Sequence, residues 1–239
     1  MSFQKLTNHQ RQASLTNKLR IQSGALKPTM DWERLPTIKS DRVCLRLLTP
    51  KDVDALFQIF SNPEVTRYWS TPPFADRQAA SELLNEIHDG FGRHVRLYWG
   101  IARLVDDELI GTTTLFNLNF DSGRAEIGYG LGRAHWGNGY MNEALHALLR
   151  YAFEVLSFRR LEADVDPRNT NSIRTIERLG FQREGFLRER WCVAGEIQDT
   201  IFYGLLRREW EDCRVSNRTA VGDDLRSDPR QQRKYLGAV

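Results

Sequence analysis

One stretch, residues 124–156, limits the folds open to this chain more than any other. A glycine-rich strand pattern, Arg124–Leu131, leads through the turn Gly137–Gly139 into a run whose apolar residues recur at intervals of three and four. This spacing predicts an amphipathic helix over Met141–Leu156 with one buried face. The rest of the chain is expected to support this strand, turn and helix.

The Gly137–Gly139 turn predicts a phosphate-binding loop. Several amide N–H groups can point outward together at the helix entrance, where the helix dipole also favours an anion. The loop is not a P-loop, because no Gly-Lys-Ser/Thr follows, and the glycine spacing does not fit the dinucleotide pattern. Gly128, Gly130 and Gly132 share one strand face with Glu126, which marks a place where a ligand approaches the backbone closely.

Four motifs occur in an order that resembles a known family: Ala125-Glu-Ile-Gly-Tyr, Trp136-Gly-Asn-Gly-Tyr-Met-Asn-Glu-Ala, Asn169-Thr-Asn-Ser-Ile and Leu179-Gly-Phe. Together they resemble the GNAT superfamily of acyl-CoA-dependent N-acetyltransferases, and within it the RimJ/RimL branch of protein N-terminal acetyltransferases. The resemblance covers Ser40 to Trp210. It implies an α/β (α+β) fold, with one mixed, largely antiparallel sheet flanked by helices and a splayed central strand pair forming the acyl-CoA cleft.

The resemblance also implies acetyl-CoA as co-substrate, with no metal. In one respect the chain departs from the family, which often has Gln or Arg three residues before the first loop glycine, where this chain has Ala134. Backbone amides carry most of that contact in the family, so binding is expected to survive. The residues expected to contact the cofactor are Leu131, Arg133, Ala134, His135, Trp136, Gly137, Asn138, Gly139, Tyr140, Asn169 and Ser172.

Acetyl transfer to an amine requires a neutral nitrogen, so a base must remove a proton from the ammonium. Glu126 is the candidate, because it lies on the strand face where the ligand is placed. The alternative is that Glu126 only pairs with a surface arginine such as Arg124 or Arg133. A backbone N–H from the strand is expected to hold the oxyanion.

Many superfamily members carry a tyrosine acid at the position that is Ile176 here. In the RimJ/RimL-like pattern Asn169 and Ser172 lie beside the thioester, so Ser172 is expected to contact the sulfur and Asn169 the pantetheine. Both residues also fit the simpler role of helix caps only.

The acceptor is expected between an early helix pair and the last hairpin, as in RimJ/RimL-like enzymes. Tyr68, Trp69 and the segment Val193–Gln198 would form its walls, although packing of the helix pair explains the two aromatic residues equally well. Three functions stay open: acetylation of a protein N-terminus, acetylation of a small amine, and a catalytically silent CoA-binding module.

Composition narrows the class of protein. A chain of 239 residues with 41% hydrophobic content can bury a core as one domain with tails. The longest apolar runs fall short of the roughly 20 residues that a membrane helix needs. Three scattered cysteines predict neither a disulfide framework nor a metal site, and favour a reducing compartment, hence the cytoplasm. We expect a monomer or homodimer that binds no nucleic acid and no membrane.

Three segments are predicted along the chain: a flexible basic arm over residues 1–39, the catalytic domain over 40–212 and a polar tail over 213–239. Residues 1–30 carry five basic side chains and no acidic one. This arm is compatible with disorder, a partner-binding role or organelle targeting, and Met30 is a possible alternative start. Strands are predicted at 43–48, 96–105, 108–120, 161–165, 186–193 and 198–206, and helices at 53–60, 76–88 and 169–179.

Overall fold

The computed structural model describes residue 30 and residues 32–212. The arm before residue 30 and the tail from residue 213 therefore lie outside the described residues.

One eight-stranded sheet organises the described chain, as predicted. Its strands stand in the order β1-β2-β3-β4-β5-β6-β8-β7, and all neighbours are antiparallel except β5 and β6. The strands are β1 Ile38–Lys39, β2 Val43–Arg46, β3 Leu97–Arg103, β4 Leu109–Asn119, β5 Arg124–Leu131, β6 Arg160–Val165, β7 Gln182–Val193 and β8 Glu196–Leu206.

The parallel pair β5 and β6 is splayed, which confirms the predicted central cleft. Their pairing covers only three residue pairs, from Arg124 opposite Arg160 to Glu126 opposite Glu162. Beyond Glu126, strand β5 continues to Leu131 while paired with β4 alone. The backbone groups on the other edge of β5 therefore face the gap between the two strands.

Helices cover both faces of the sheet. They are α1 Val53–Phe60, α2 Pro63–Thr66, α3 Arg77–Gly92, α4 Tyr140–Arg150 and α5 Thr170–Arg178, and residues 207–212 are also helical. One core packs α4 and α5 against the sheet, and a second core packs α1 and α3 against the opposite face.

The helix predicted over Met141–Leu156 is present, but its last turn differs. The α-helix α4 ends at Arg150 and a π-helical turn, Tyr151–Val155, continues it. Its wider spacing is seen in the bond from the Leu156 N–H to the Tyr151 carbonyl. Ala152, Phe153 and Leu156 are all buried in this arrangement, so the extra residue in the turn does not interrupt the apolar face.

The last hairpin is longer than its apolar pattern suggested. Strand β7 begins four residues before Phe186, and β8 begins at Glu196. Ala194 and Gly195, which lie between the two strands, both have positive φ. This is the requirement of a tight two-residue hairpin turn.

The folded body extends N-terminally of residue 40, the start chosen from the sequence. Leu35 is buried in the larger core, and the Pro36 carbonyl accepts a hydrogen bond of 2.8 Å from the Trp99 indole. Trp32 stacks on His94, and the Tyr151 hydroxyl contacts the Met30 sulfur. We therefore propose that the domain begins by Met30.

Two truncations test this boundary. A chain starting at Met30 is expected to melt at the temperature of the full chain, because residues 1–29 offer little apolar surface. A chain starting at residue 40 is expected to melt about 5 °C lower or more, because losing a buried leucine costs about 2–5 kcal/mol and each kcal/mol shifts a domain of this size by about 2–4 °C. Thermal unfolding followed by circular dichroism measures both. Equal melting temperatures for the two truncations would remove the segment 30–39 from the domain.

No helix in the described part of the chain combines the length and the apolar character that crossing a bilayer requires.

Candidate functional site

The glycine turn before α4 has the backbone conformation that its sequence predicts. Gly137 and Gly139 have φ of 77° and 79°, in the left-handed region that glycine adopts without strain. The Asn138 carboxamide donates to the carbonyls of His135 and Trp136, which holds the turn closed. The first amides of α4 have no partner inside the helix, so they and the helix dipole make this turn a candidate anion site.

Arg42, which lies outside the glycine motif, holds this turn in place through hydrogen bonds. Its guanidinium donates to the Asn138 carbonyl at 3.0 Å and to the Glu143 carboxylate at 2.8 Å, and it lies over the Tyr140 ring. Glu143 also accepts from the backbone N–H groups of Arg42 and Val43. Burial opposes ionisation of Glu143, but these hydrogen bonds outweigh it and lower its pKa. The sequence carries no signal for this pair, because the two residues lie far apart in the chain.

A cleft of about 620 Å³ lies between this turn, the end of β5 and helix α5. Ten of the predicted site residues line it. They are Tyr68, Trp69, Leu131, His135, Trp136, Gly137, Gly139, Tyr140, Asn169 and Ser172.

Four predicted residues lie beside the cleft rather than on its described walls. Arg133 pairs with Glu64 at 2.9 Å and lies over the Trp136 ring, and Ala134 belongs to the short turn Arg133–His135. Asn138 turns its side chain into the loop. The fourth is Glu126, which lies on β5 before Tyr129, the first residue of this strand that lines the cleft.

Four arginines on the cleft walls were not predicted: Arg67, Arg168, Arg174 and Arg178. Guanidinium groups bind phosphate oxygens with two parallel hydrogen bonds. Arg174 and Arg178 lie on α5, and together with the first amides of α4 they make this part of the cleft suited to a ligand with several phosphates. The helical spacing of Arg174 and Arg178 would have revealed that they share a face, but not that the face lines a cleft.

Glu126 stands on the β5 face that it shares with Gly128 and Gly130. Burial raises the pKa of its carboxyl, and the nearby carboxylates of Asp164 and Glu162 add to this, against the opposing effects of Asn117 and Arg190. The two arginines considered as partners bind elsewhere, Arg124 to Glu162 and Arg133 to Glu64. A carboxyl group with a raised pKa suits proton transfer near neutral pH.

Asn117 orients Glu126 and was missed by sequence reasoning. Its carboxamide donates to the Glu126 carboxylate at 2.9 Å. Asn117 has φ of 49° and lies where the register between β4 and β5 shifts. Bulges of this kind redirect side chains next to functional sites, and asparagine tolerates the left-handed conformation better than most residues. An asparagine between the apolar residues Phe116 and Leu118 was the available signal.

Asn169 and Ser172 act as the N-terminal cap of α5, and both also line the cleft. The Asn169 side chain accepts from the Ser172 N–H at 3.1 Å. The Ser172 hydroxyl lies 2.6 Å from the Tyr129 hydroxyl across the cleft. Capping therefore uses the backbone of Ser172 and leaves its hydroxyl available to the cleft. Ile176 is fully buried, so its position offers no group to a ligand.

The predicted acceptor walls are linked across the cleft by Arg168. Tyr68 lies between the guanidinium groups of Arg67 and Arg168, at 5.4 and 5.7 Å from its ring centre. Arg168 also pairs with Asp166 and, at 2.5 Å, with Glu196 in the hairpin turn. Within the segment predicted as the second wall, Glu196 is thus connected to the cleft through Arg168.

Trp69 packs against the helix pair, as the alternative interpretation predicted, and it also lines the cleft. Its indole lies so close over β5 that a Cβ at Gly130 would come within 2.6 Å of it. It also packs against Phe60 of α1, with ring centres 4.5 Å apart. The absence of a side chain at Gly130 makes room for this contact.

Among residues 30 and 32–212, no group of three or more His, Cys, Asp or Glu side chains is placed to hold a metal ion.

Comparison with known proteins identifies a family. The model of the acetyltransferase (GNAT) domain matches residues 42–182. The uncharacterized N-acetyltransferase p20 of Bacillus licheniformis is 39% identical over 74% of this chain and 99% of its own length. The [ribosomal protein uS5]-alanine N-acetyltransferase of Escherichia coli is 27% identical over 72% of this chain and 92% of its own.

A solved structure agrees with the sequence relatives. The crystal structure of a GCN5-related N-acetyltransferase from Brucella melitensis superposes with a TM-score of 0.68 at 25% identity. The superposition covers 78% of this chain and 83% of that protein.

Proposed function

The chain belongs to the GNAT family of N-acetyltransferases, and from this premise we propose that it acetylates the α-amine of a protein N-terminus with acetyl-CoA. The observation that carries the proposal is the open cleft at the splayed strands. The candidate anion site lies at one end of this cleft, and Glu126 lies on β5, the strand that forms one of its walls. The Escherichia coli relative, named for an alanine of ribosomal protein uS5, supports a protein acceptor.

Acetyl-CoA would lie with its phosphates at the Gly137–Gly139 turn and its thioester between β5 and α5. Arg174 and Arg178 on α5 would supply charge for the phosphates. Unpaired N–H groups on the free edge of β5 face the gap, where they can hold the oxyanion of the tetrahedral intermediate. Ser172 lies on the opposite side, where its hydroxyl would contact the sulfur.

Glu126 would serve as the general base. An α-amine has a pKa of about 8, so near neutral pH most of it is protonated and unreactive. Glu126 accepts the proton, directly or through water, and the neutral nitrogen attacks the thioester carbon. The carbon–sulfur bond then breaks, and CoA leaves as the thiolate.

A small amine is the second candidate, and one observation favours it. Glu126 and Asp164 lie close together on neighbouring strands, so their negative charge suits an acceptor carrying more than one ammonium group. A catalytically silent CoA-binding module is less well supported, because Glu126 and the glycine turn are both intact.

Direct comparison of acceptors tests the proposal. We expect N-terminal peptides of varied sequence to be acetylated, and a polyamine and an amino sugar to react far more slowly, when each is incubated with acetyl-CoA and analysed by mass spectrometry. Tyr68→Ala is expected to raise the KM for the peptide while acetyl-CoA binding stays the same, because only acceptor contacts are removed. Phe57→Ala serves as a control for stability, because it also replaces an aromatic residue by alanine but at a position in the core of α1 and α3 that does not line the cleft.

The opposite pattern would replace the protein acceptor with a small one. If the polyamine or the amino sugar is acetylated while the peptides are not, the small-amine function stands. If none of them reacts although acetyl-CoA binds, the silent module becomes the better description.

A further inference from the structure

We propose that Tyr129 is a positioning residue that holds the Ser172 hydroxyl with its proton directed at the sulfur of the bound thioester. Tyr129 lies on β5 and Ser172 on α5, so the contact spans the two sides of the cleft. The inference rests on the proposed placement of Ser172 beside the thioester.

The distances favour Tyr129 as the donor. The Tyr129 Oη lies 2.6 Å from the Ser172 Oγ and 3.4 Å from the Ser172 carbonyl oxygen. If Ser172 donated to Tyr129, the phenolic proton would have only the distant carbonyl as acceptor. When Tyr129 donates to Oγ, its proton occupies the short bond and the serine keeps its own proton for another partner.

The serine proton is not used within the helix. Serine and threonine in helices often donate to the carbonyl four residues earlier. Thr175 does so on the same helix, donating to the Asn171 carbonyl at 2.8 Å. Within the described chain, Ser172 Oγ makes no such bond, and its N–H is taken by the Asn169 cap. The remaining direction for its proton is the cleft, which both Ser172 and Tyr129 line.

Departure of the CoA sulfur requires a hydrogen bond to that sulfur rather than a strong acid. When the tetrahedral intermediate collapses, the carbon–sulfur bond breaks and the sulfur takes the electron pair. A thiol has a pKa of about 8.5, so the departing thiolate is stable enough to leave with one donated hydrogen bond. Two protons leave the nitrogen on the way from ammonium to amide: the first has gone to Glu126 and the second passes to water as the intermediate collapses. The thiolate takes a proton from solvent after release.

Tyr129 suits a donor that keeps its proton. Burial raises its pKa to about 12, against a small opposing effect of the bond to Ser172. The phenol therefore remains neutral throughout the range in which an amine is acetylated. It orders Ser172 without exchanging a proton with the reactants.

A double-mutant cycle tests whether Tyr129 acts through Ser172. Tyr129→Phe is expected to lower kcat about tenfold with the KM for acetyl-CoA unchanged, since a single ordered hydrogen bond is lost in the transition state. Ser172→Ala is expected to lower kcat at least as much. The double variant should be no slower than Ser172→Ala alone, because the tyrosine has nothing left to position.

The control is Tyr151→Phe. Tyr151 also has its pKa raised to about 12 by burial, but its hydroxyl contacts the Met30 sulfur outside the cleft. This variant removes the same atom and is expected to keep wild-type kinetics. Thermal unfolding of all variants separates lost positioning from lost folding.

Three results would overturn the inference: independent, multiplying losses in the double variant, a raised KM for acetyl-CoA with unchanged kcat, or wild-type kinetics in Tyr129→Phe. The cycle is measured with whichever amine the wild type acetylates. If the wild type acetylates only a small amine, the proposal of a protein acceptor is wrong, but the double-mutant cycle can still be measured with that amine. If Tyr129→Phe acetylates the peptide at the wild-type rate, the positioning role of Tyr129 is wrong, whereas the proposed function is unaffected.

Discussion

Replacing Glu126 by glutamine is expected to lower turnover by roughly 10²- to 10⁴-fold near neutral pH while acetyl-CoA still binds. The amide has the size of the carboxylate but cannot accept the amine proton. Because the neutral fraction of an amine grows with pH, raising the pH should recover part of the loss. Steady-state rates over a range of pH, with acetyl-CoA binding measured alongside, give both quantities.

The pH profile of the wild type adds a sharper test. Burial and two neighbouring carboxylates raise the pKa of Glu126, so wild-type activity should fall as the pH drops through a value above the usual range for glutamate. In Glu126→Gln the part of this pH dependence that belongs to the carboxyl group should disappear, leaving only the part due to protonation of the amine. Glu184→Gln, a change on the same sheet in a residue that pairs with Arg160, is the matched control.

As the pH rises through the pKa of Glu126, activity should increase while the stability of the fold decreases. The folded-state pKa of Glu126 lies above its unfolded value, so the folded state binds the proton more tightly and loses stability as the pH rises through these values. At neutral pH the ionised carboxylate is therefore a cost to folding. Glu126→Gln is expected to melt no lower than the wild type. Equal activity of mutant and wild type across the pH range would remove Glu126 as the base.

Gly139→Val is expected to abolish the stabilisation by acetyl-CoA. At about 100 times its dissociation constant, a ligand that binds only the folded state stabilises it by roughly 2.7 kcal/mol, which is about 5–10 °C for a domain of this size. Gly139 has φ of 79°, and a Cβ there would lie 3.3 Å from the Arg42 guanidinium. Valine at this position both strains the turn and disturbs the residue that fastens it.

The control for strain is Gly195→Val in the last hairpin. Gly195 has φ of 85°, and no atom lies within 4 Å of a Cβ built there, so the substitution brings the same backbone penalty without touching the anion site. Its melting temperature should fall, but the shift with acetyl-CoA should stay. Melting curves with and without acetyl-CoA measure both. An undiminished shift in Gly139→Val would exclude the glycine turn as the phosphate site.

The local elements were predictable because their signals are local. The apolar spacing of α4, the alternation in β6 and the glycines before the helix each describe one element and its buried face. The ends of the helices and strands were less predictable from the sequence. The widened turn at Tyr151–Val155 and the first residues of β7 depend on what packs against them. The segment from Met30 to Lys39 was assigned to a flexible arm, although Leu35 is buried, since a single leucine has no periodicity to reveal it.

The sequence by itself determined the family, the position of the glycine turn and the strand that carries Glu126, because a turn conformation and a strand face follow from a few neighbouring residues. Only the tertiary structure decided the partners: Arg42 with Glu143, Asn117 with Glu126 and Tyr129 with Ser172. Each pair joins two elements whose approach is set by packing of the whole sheet and its helices. No local pattern in the chain encodes that approach.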